Sequence, residues 1–312
     1  MVPVMALPNF DHVREAAQRI APWAVRTPVL RSDRLDALTG AKLWFKCEGL
    51  QRIGAFKFRG ACNAVMALDD DLAASGVLTH SSGNHGAALG EAARIRGIPA
   101  HIVVPDGANP VKLANIEATG ATLHACAPTL SAREQTAERV RIATGASLIH
   151  PYEHPLVIAG QGTAAMELLT EHPKLDDLLV PLGGGGLAAG TALTVSALSP
   201  TTRLTLVEPA GAADGKQGLE SGERVTDWPV NTICDGLRTM LGVPNFVILR
   251  QHGAEVIAID DTATLAAMAI AQRELRVQVE PSSAIVLAAV LAHPARFLGR
   301  HVGLILSGGN VA

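Results

Sequence analysis

Short apolar runs alternate with amphipathic stretches along most of this chain, and the alternation predicts its architecture. Val77–Thr79, His101–Val104, Ala121–His124, Leu178–Val180, Leu204–Val207 and Val302–Leu306 read as strands. Helical spacing runs over Ala87–Arg96, ended by Gly97, and over Pro110–Ala118, stopped by Gly120. It continues over Ser131–Thr144, Gly162–Thr170 and Leu187–Leu198. Ahead of these lies a helix over Asp11–Ile20 with Asp11 as its expected cap. This rhythm predicts an α/β fold with a mostly parallel sheet and helices on both faces. Sheets of this kind bind ligands beyond the carboxyl ends of their strands, which says where to look for chemistry.

Composition narrows the function classes. The 312 residues are 48% hydrophobic, enough for one large or two ordinary domains. A net charge of −3 and 3% aromatic residues argue against a nucleic-acid or membrane-surface partner. The longest apolar run, Ala284–Ala292, is too short to span a bilayer, and no signal peptide is read at the N-terminus. Cys47, Cys62, Cys126 and Cys234 form no C-x-x-C pair, so neither a zinc site nor a disulfide framework is expected, and a cytoplasmic location fits.

Four segments carry candidate chemistry. Gly183-Gly184-Gly185-Gly186 follows a strand and precedes a helix. A tight turn needs one or two glycines; four suit a phosphate cup of backbone N–H groups at a helix N-terminus. Gly184, Gly186 and Ala189 also fit G-x-G-x-x-A, with Glu208 near the ribose-binding position, so a dinucleotide site is a second reading. Ser81-Ser82-Gly83-Asn84-His85-Gly86, at another strand-to-helix junction, offers more polar groups than a helix cap needs and suits a carboxylate ligand. Lys57 sits between Phe56 and Phe58, where an apolar setting lowers the amine's pKa and favours a Schiff base; in isolation a lysine that snorkels to solvent fits equally. Ser307-Gly308-Gly309-Asn310 ends the last strand with a hydroxyl able to bond a ring nitrogen, or with a plain turn.

Taken together, in order and spacing, these segments resemble the fold-type II pyridoxal-phosphate (PLP) family of serine/threonine dehydratases and serine racemases. The resemblance runs from Thr27-Pro28 to Asn310. It implies two open, mostly parallel twisted sheets flanked by helices, with the cofactor in the cleft between a large domain (1–66 plus 148–312) and a small one (67–147). Lys57 would hold PLP as a Schiff base, Phe56 would pack on its ring, and Asn84 would bond its 3-hydroxyl. Gly183, Gly184, Gly185 and Gly186 would take the phosphate and Ser307 the pyridine nitrogen. Ser82 matches the opposite-face proton donor of the racemases. Glu208, Ala212 (through its carbonyl) and Asp214 match their divalent-cation site, which suits Mg²⁺, or Ca²⁺ or Mn²⁺, rather than zinc. Two solvated loop acids are the other reading of that pair.

The resemblance further implies a homodimer and a small amino-acid substrate. Lys57 would remove the Cα proton and the β-hydroxyl would leave, giving a 2-oxo acid and ammonia. Ser81, Ser82, Asn84 and His85 would grip the substrate carboxylate, with Thr239 as a further hydroxyl. Arg133, paired with His85, would hold a second carboxylate if it points inward, favouring 3-hydroxyaspartate over serine or threonine; otherwise it is a solvated arginine. Ala55 and Ile53 depart from the family's usual serine and threonine. The short stretch after Asn310 leaves no room for a C-terminal regulatory domain, which points to a catabolic or racemase-like member.

Overall fold

The computed structural model describes residues 7–108 and 110–311, and among them ten strands form two sheets. In chain order these are β1 (Val29–Leu30), β2 (Lys42–Cys47), β3 (Val77–Thr79), β4 (Ala100–Pro105) and β5 (Thr122–Cys126), then β6 (Ser147–Leu148), β7 (Asp177–Pro181), β8 (Arg203–Pro209), β9 (Glu255–Ile259) and β10 (His301–Leu306). The larger sheet has the order β1-β2-β10-β7-β8-β9, and the smaller β5-β4-β3-β6. Every pairing is parallel except β1 with β2. The alternation predicts a mostly parallel sheet and the resemblance two; two mostly parallel sheets are present, and helices supply the crossovers that parallel strands require.

Burial explains the apolar runs. The stretch too short for a membrane lies within helix Pro281–Ala292 and reaches its C-terminal end, and the helix's residues from Ser282 to Val290 are all buried in the core. Among the described residues no helix is long and apolar enough to cross a membrane.

Two of the helix starts that differ from the sequence reading are instructive. The first helix is Phe10–Ile20, and its cap is Asn9 rather than Asp11. Asn9 accepts from the His12 N–H while the His12 ring accepts from the Asn9 N–H, a reciprocal pair that Asp11 has no means to form. The helix read as Gly162–Thr170 begins at Pro155, capped by His154. Gly160 is no breaker there, because it marks a close approach. A Cβ on it would lie 2.6 Å from the Gly60 Cα, so two helices, Lys57–Met66 and Pro155–Glu171, meet almost backbone to backbone.

That contact also seats a buried ion cluster beneath Lys57. Arg59 Nε donates to Glu48 at 2.7 Å and its Nη1 to Glu167 at 2.7 Å. Lys46 Nζ donates to Glu167 at 2.5 Å and to the Thr27 carbonyl at 2.7 Å. Two cations meet two anions, so the helix that begins with Lys57 is anchored by matched charges.

Candidate active site

The carboxyl ends of β3, β7 and β10 converge on one cavity of about 470 Å³, of the size small-molecule and cofactor sites usually have. Lys57, Phe56, Ser81, Ser82, Asn84 and His85 line it, as do Gly183 to Gly186, Ser307, Arg133 and Thr239. Glu208, Ala212 and Asp214 are not among its lining residues.

Lys57 opens the helix Lys57–Met66, right after a strained turn in which Ile53 has φ +59° and Gly54 φ +71°. A β-branched residue in the left-handed region costs about 1–3 kcal/mol, and such strain gathers at ligand sites. The Phe56 N–H donates to the Ser307 carbonyl at 3.0 Å, and Ala55 bridges to Gly308. The lysine segment is thus fixed in register against the end of β10.

The Lys57 amine donates to the Pro151 carbonyl at 2.9 Å and lies 5.2 Å from the centre of the Phe56 ring. Burial pulls its pKa down to about 8, against the opposing pull of Glu280. It does not snorkel. Only the neutral amine attacks an aldehyde, so capture of an aldehyde cofactor by the apoprotein is expected to accelerate as pH rises through about 8 and to level off above it. Growth of visible absorbance after mixing reads this rate; a rate flat across that range contradicts it.

The glycine run lies against a wall of side chains. Gly185 has φ +90°, and a Cβ on Gly184 would sit 2.5 Å from the Tyr152 ring. Asn245 Nδ2 donates to the Gly184 carbonyl at 2.6 Å and to the Tyr152 carbonyl at 2.9 Å, which fixes the loop from behind. The run ends at the N-terminus of helix Gly186–Leu198, where unpaired N–H groups and the helix dipole favour an anion.

In the polar loop the helix starts at Asn84 rather than Ala87, placing Asn84 and His85 in its first turn. His85 is buried, and burial and then Lys57 hold its pKa well below the usual imidazole range. Its Nε2 lies 3.3 Å from the Ile149 carbonyl, so Nε2 carries the proton and the unpartnered Nδ1 is an acceptor. A neutral imidazole of this tautomer offers no charge to a second carboxylate. Arg133 itself points inward, with a buried Nε that has no hydrogen-bond partner.

Glu208 and Asp214 form a second, buried feature behind the glycine run. Glu208 accepts from the Gly215 N–H at 3.0 Å and the Lys216 N–H at 2.8 Å, and Asp214 accepts from the Leu241 N–H at 2.8 Å. Leu241 is the residue a Cβ on Gly185 would strike, so the acid pair borders the glycine loop. These are not solvated acids. Burial, reinforced by Asp214, raises the Glu208 pKa to about 8. Both Glu208 oxygens accept from a helix N-terminus, and Glu208 does not line the cavity that the glycine run borders, so it is not placed to take a ribose there. No group of three His, Cys, Asp or Glu side chains able to hold a metal occurs among the described residues.

Several lining residues escaped the sequence reading. Glu280, buried at the start of helix Pro281–Ala292, receives Asn84 Nδ2 at 3.2 and 3.3 Å. Lys112 pairs with Asp235. His80 and Tyr152 flank His150, which burial holds at a pKa of about 3. None belongs to a recognisable motif; the nearest signal was Pro281-Ser282-Ser283 opening an apolar helix after Glu280.

The family described as "Pyridoxal-phosphate dependent enzyme" matches residues 20–308. A serine racemase of Oryza sativa is 45% identical over 308 residues, covering 97% of this chain and 91% of that protein. A β-hydroxyaspartate dehydratase of Paracoccus denitrificans is 43% identical, covering 98% of both. Among solved structures, maize serine racemase superposes with a TM-score of 0.95 at 44% identity, covering 98% of this chain and 95% of that one.

Proposed function

Because this chain belongs to the pyridoxal-phosphate dependent enzyme family, we propose that its cavity removes water from a β-hydroxy amino acid carrying a second carboxylate, 3-hydroxyaspartate. The residues present fit the cofactor: a buried lysine of lowered pKa, a glycine loop at a helix N-terminus and a hydroxyl, that of Ser307, lining the same cavity. Lys57, Phe56, Asn84, Gly183 to Gly186 and Ser307 are the residues that would hold it. When bound, PLP supplies an electron sink for the bond broken at Cα.

The protein's own groups do the rest. Lys57 would take the Cα proton, and its lowered pKa suits a base near neutral pH. Ser81, Ser82 and the first turn of helix Asn84–Arg96 take the α-carboxylate. Arg133 takes the β-carboxylate. The hydroxyl leaves with a proton as water, and the released enamine tautomerises to an imine that a second water hydrolyses to a 2-oxo acid, oxaloacetate for this substrate, and ammonia. Serine and threonine follow the same path without the Arg133 contact.

The observation that carries this choice is the unpartnered, buried Arg133 Nε. A buried guanidinium donor without an acceptor is costly unless a ligand supplies one. Two charge-assisted bonds to a carboxylate are worth about 3 kcal/mol together, about 100-fold in affinity. Arg133→Met is therefore expected to lower kcat/KM for 3-hydroxyaspartate about 100-fold or more and to change that for serine less than about threefold. Equal losses on both substrates would count against the assignment.

A racemase activity is the second reading. Ser82 lines the same cavity and would return a proton to the face opposite Lys57. Chiral analysis of the amino acid left after partial turnover separates the two.

Glu208 and Asp214, with the Ala212 carbonyl, are the donors we assign to a divalent cation, Mg²⁺ or else Ca²⁺ or Mn²⁺. Two buried carboxylates whose pKa values burial raises are the chemistry a hard cation relieves. EDTA is expected to lower the melting temperature by several degrees and Mg²⁺ to restore it; a melting temperature indifferent to both contradicts the site. The homodimer, the cytoplasmic location and the division into 1–66 plus 148–312 and 67–147 complete the proposal.

A further inference from the structure

Glu280 is a carboxylate in an unusual place. It sits at the N-cap of helix Pro281–Ala292, yet its side chain does not cap that helix. It turns into the cavity instead, where it is buried and both its oxygens lie 3.2–3.3 Å from Asn84 Nδ2. Gly308 makes room for it, since a Cβ there would lie 2.5 Å from Glu280 Oε1. The other end of the Asn84 amide is also held, because Asn310 Nδ2 donates to Asn84 Oδ1 at 2.9 Å and to the Ile53 carbonyl at 2.8 Å.

An amide has two N–H donors and one carbonyl, and an ionised carboxylate only accepts. Glu280 and Asn310 therefore fix together which end of Asn84 is nitrogen. We propose that Glu280 is a positioning residue for the cofactor, fixing the Asn84 amide so that its second N–H is the donor offered to the ring oxygen. The inference rests on the cavity holding PLP. A donor at that point favours the deprotonated oxygen and so leaves the neighbouring proton on the nitrogen of the lysine linkage. Burial raises the Glu280 pKa, while Asn84, Lys112, the Asn310 N–H and Lys57 act against that rise and favour the ionised form. Its effect is exerted through Asn84, so Glu280 need touch neither substrate nor reacting atoms.

Glu280→Gln keeps the shape but lets the new amide donate or accept, so the hold on the nitrogen end of Asn84 is lost and only Asn310 still restrains the amide. Glu280→Asp keeps the charge and loses the reach. For each variant and the wild type, PLP is titrated into apoprotein, and affinity and the ratio of visible to near-ultraviolet absorbance are recorded. Both variants are expected to bind PLP about tenfold more weakly and to show a lower visible share. Asn84→Ala should show the same changes, and adding Glu280→Gln to it should cost less than about twofold more. Wild-type affinity and absorbance in Glu280→Gln would overturn the inference, as would full additivity with Asn84→Ala. Recovery of both readouts in Glu280→Asp would reduce Glu280 to a bare charge and overturn it too. A wild-type apoprotein that gains no visible band with PLP overturns the cofactor reading itself, a result distinct from the others.

Discussion

Lys57→Ala is expected to form 2-oxo acid at less than about a thousandth of the wild-type rate, because one side chain performs two jobs that no neighbour duplicates. It links the cofactor and it moves the Cα proton. Other basic groups near the cavity do not substitute: His85 and His150 are held neutral and far below the usual imidazole pKa, which leaves them weak bases. Lys112 is engaged with Asp235 on the other side of the cleft. The fold should survive the change. The one hydrogen bond lost is that to the Pro151 carbonyl, and an alanine at the start of a helix is well tolerated. The expected variant melts close to wild type, takes up PLP without the visible band of the lysine linkage, and turns over no substrate. A variant that retains a tenth of the activity would move the proton-transfer role elsewhere.

The second large effect falls on stability. Arg59 and Glu48 are both fully buried and share two contacts, at 2.7 and 2.8 Å. Arg59→Met fits the space but strands Glu48 and half of the charge balance at Glu167, where Lys46 remains. Removing one partner of a buried pair costs about 3–5 kcal/mol, since the other charge keeps its desolvation penalty. Glu48→Gln removes the stranded charge as well, so the double variant should regain part of the loss. Denaturant unfolding of the four proteins measures the cycle. Strict additivity would mean that Arg59 acts through packing rather than through Glu48.

Much of this was legible in the sequence, for a local reason. Glycine runs and polar loops at strand ends are contiguous, and the alternation of apolar runs locates the carboxyl ends where they must sit. Lys57, Asn84, Gly183 to Gly186 and Ser307 therefore lie in one cavity, as their order along the chain implied. What was missed is tertiary. Glu280 meets Asn84 across nearly two hundred positions and carries no motif. The neutrality of His85 comes from burial and from Lys57, brought near it by the fold, which the residue's own neighbours do not reveal. The choice of Asn9 over Asp11 as a cap was decided by the His12 ring, since both residue types suit the role. The close packing at Gly160 is likewise invisible along the chain and appears only in three dimensions.

The central claim is that Lys57 and Arg133 together select a dicarboxylic β-hydroxy amino acid for elimination. The direct measurement is 2-oxo acid and ammonia formation by the PLP-loaded enzyme from serine, threonine and the stereoisomers of 3-hydroxyaspartate. The prediction is that one isomer of 3-hydroxyaspartate is turned over with a kcat/KM at least about tenfold above serine and threonine, giving oxaloacetate and ammonia in equal amounts. Turnover of none of these substrates, or a preference for serine or threonine over every isomer of 3-hydroxyaspartate, would contradict it.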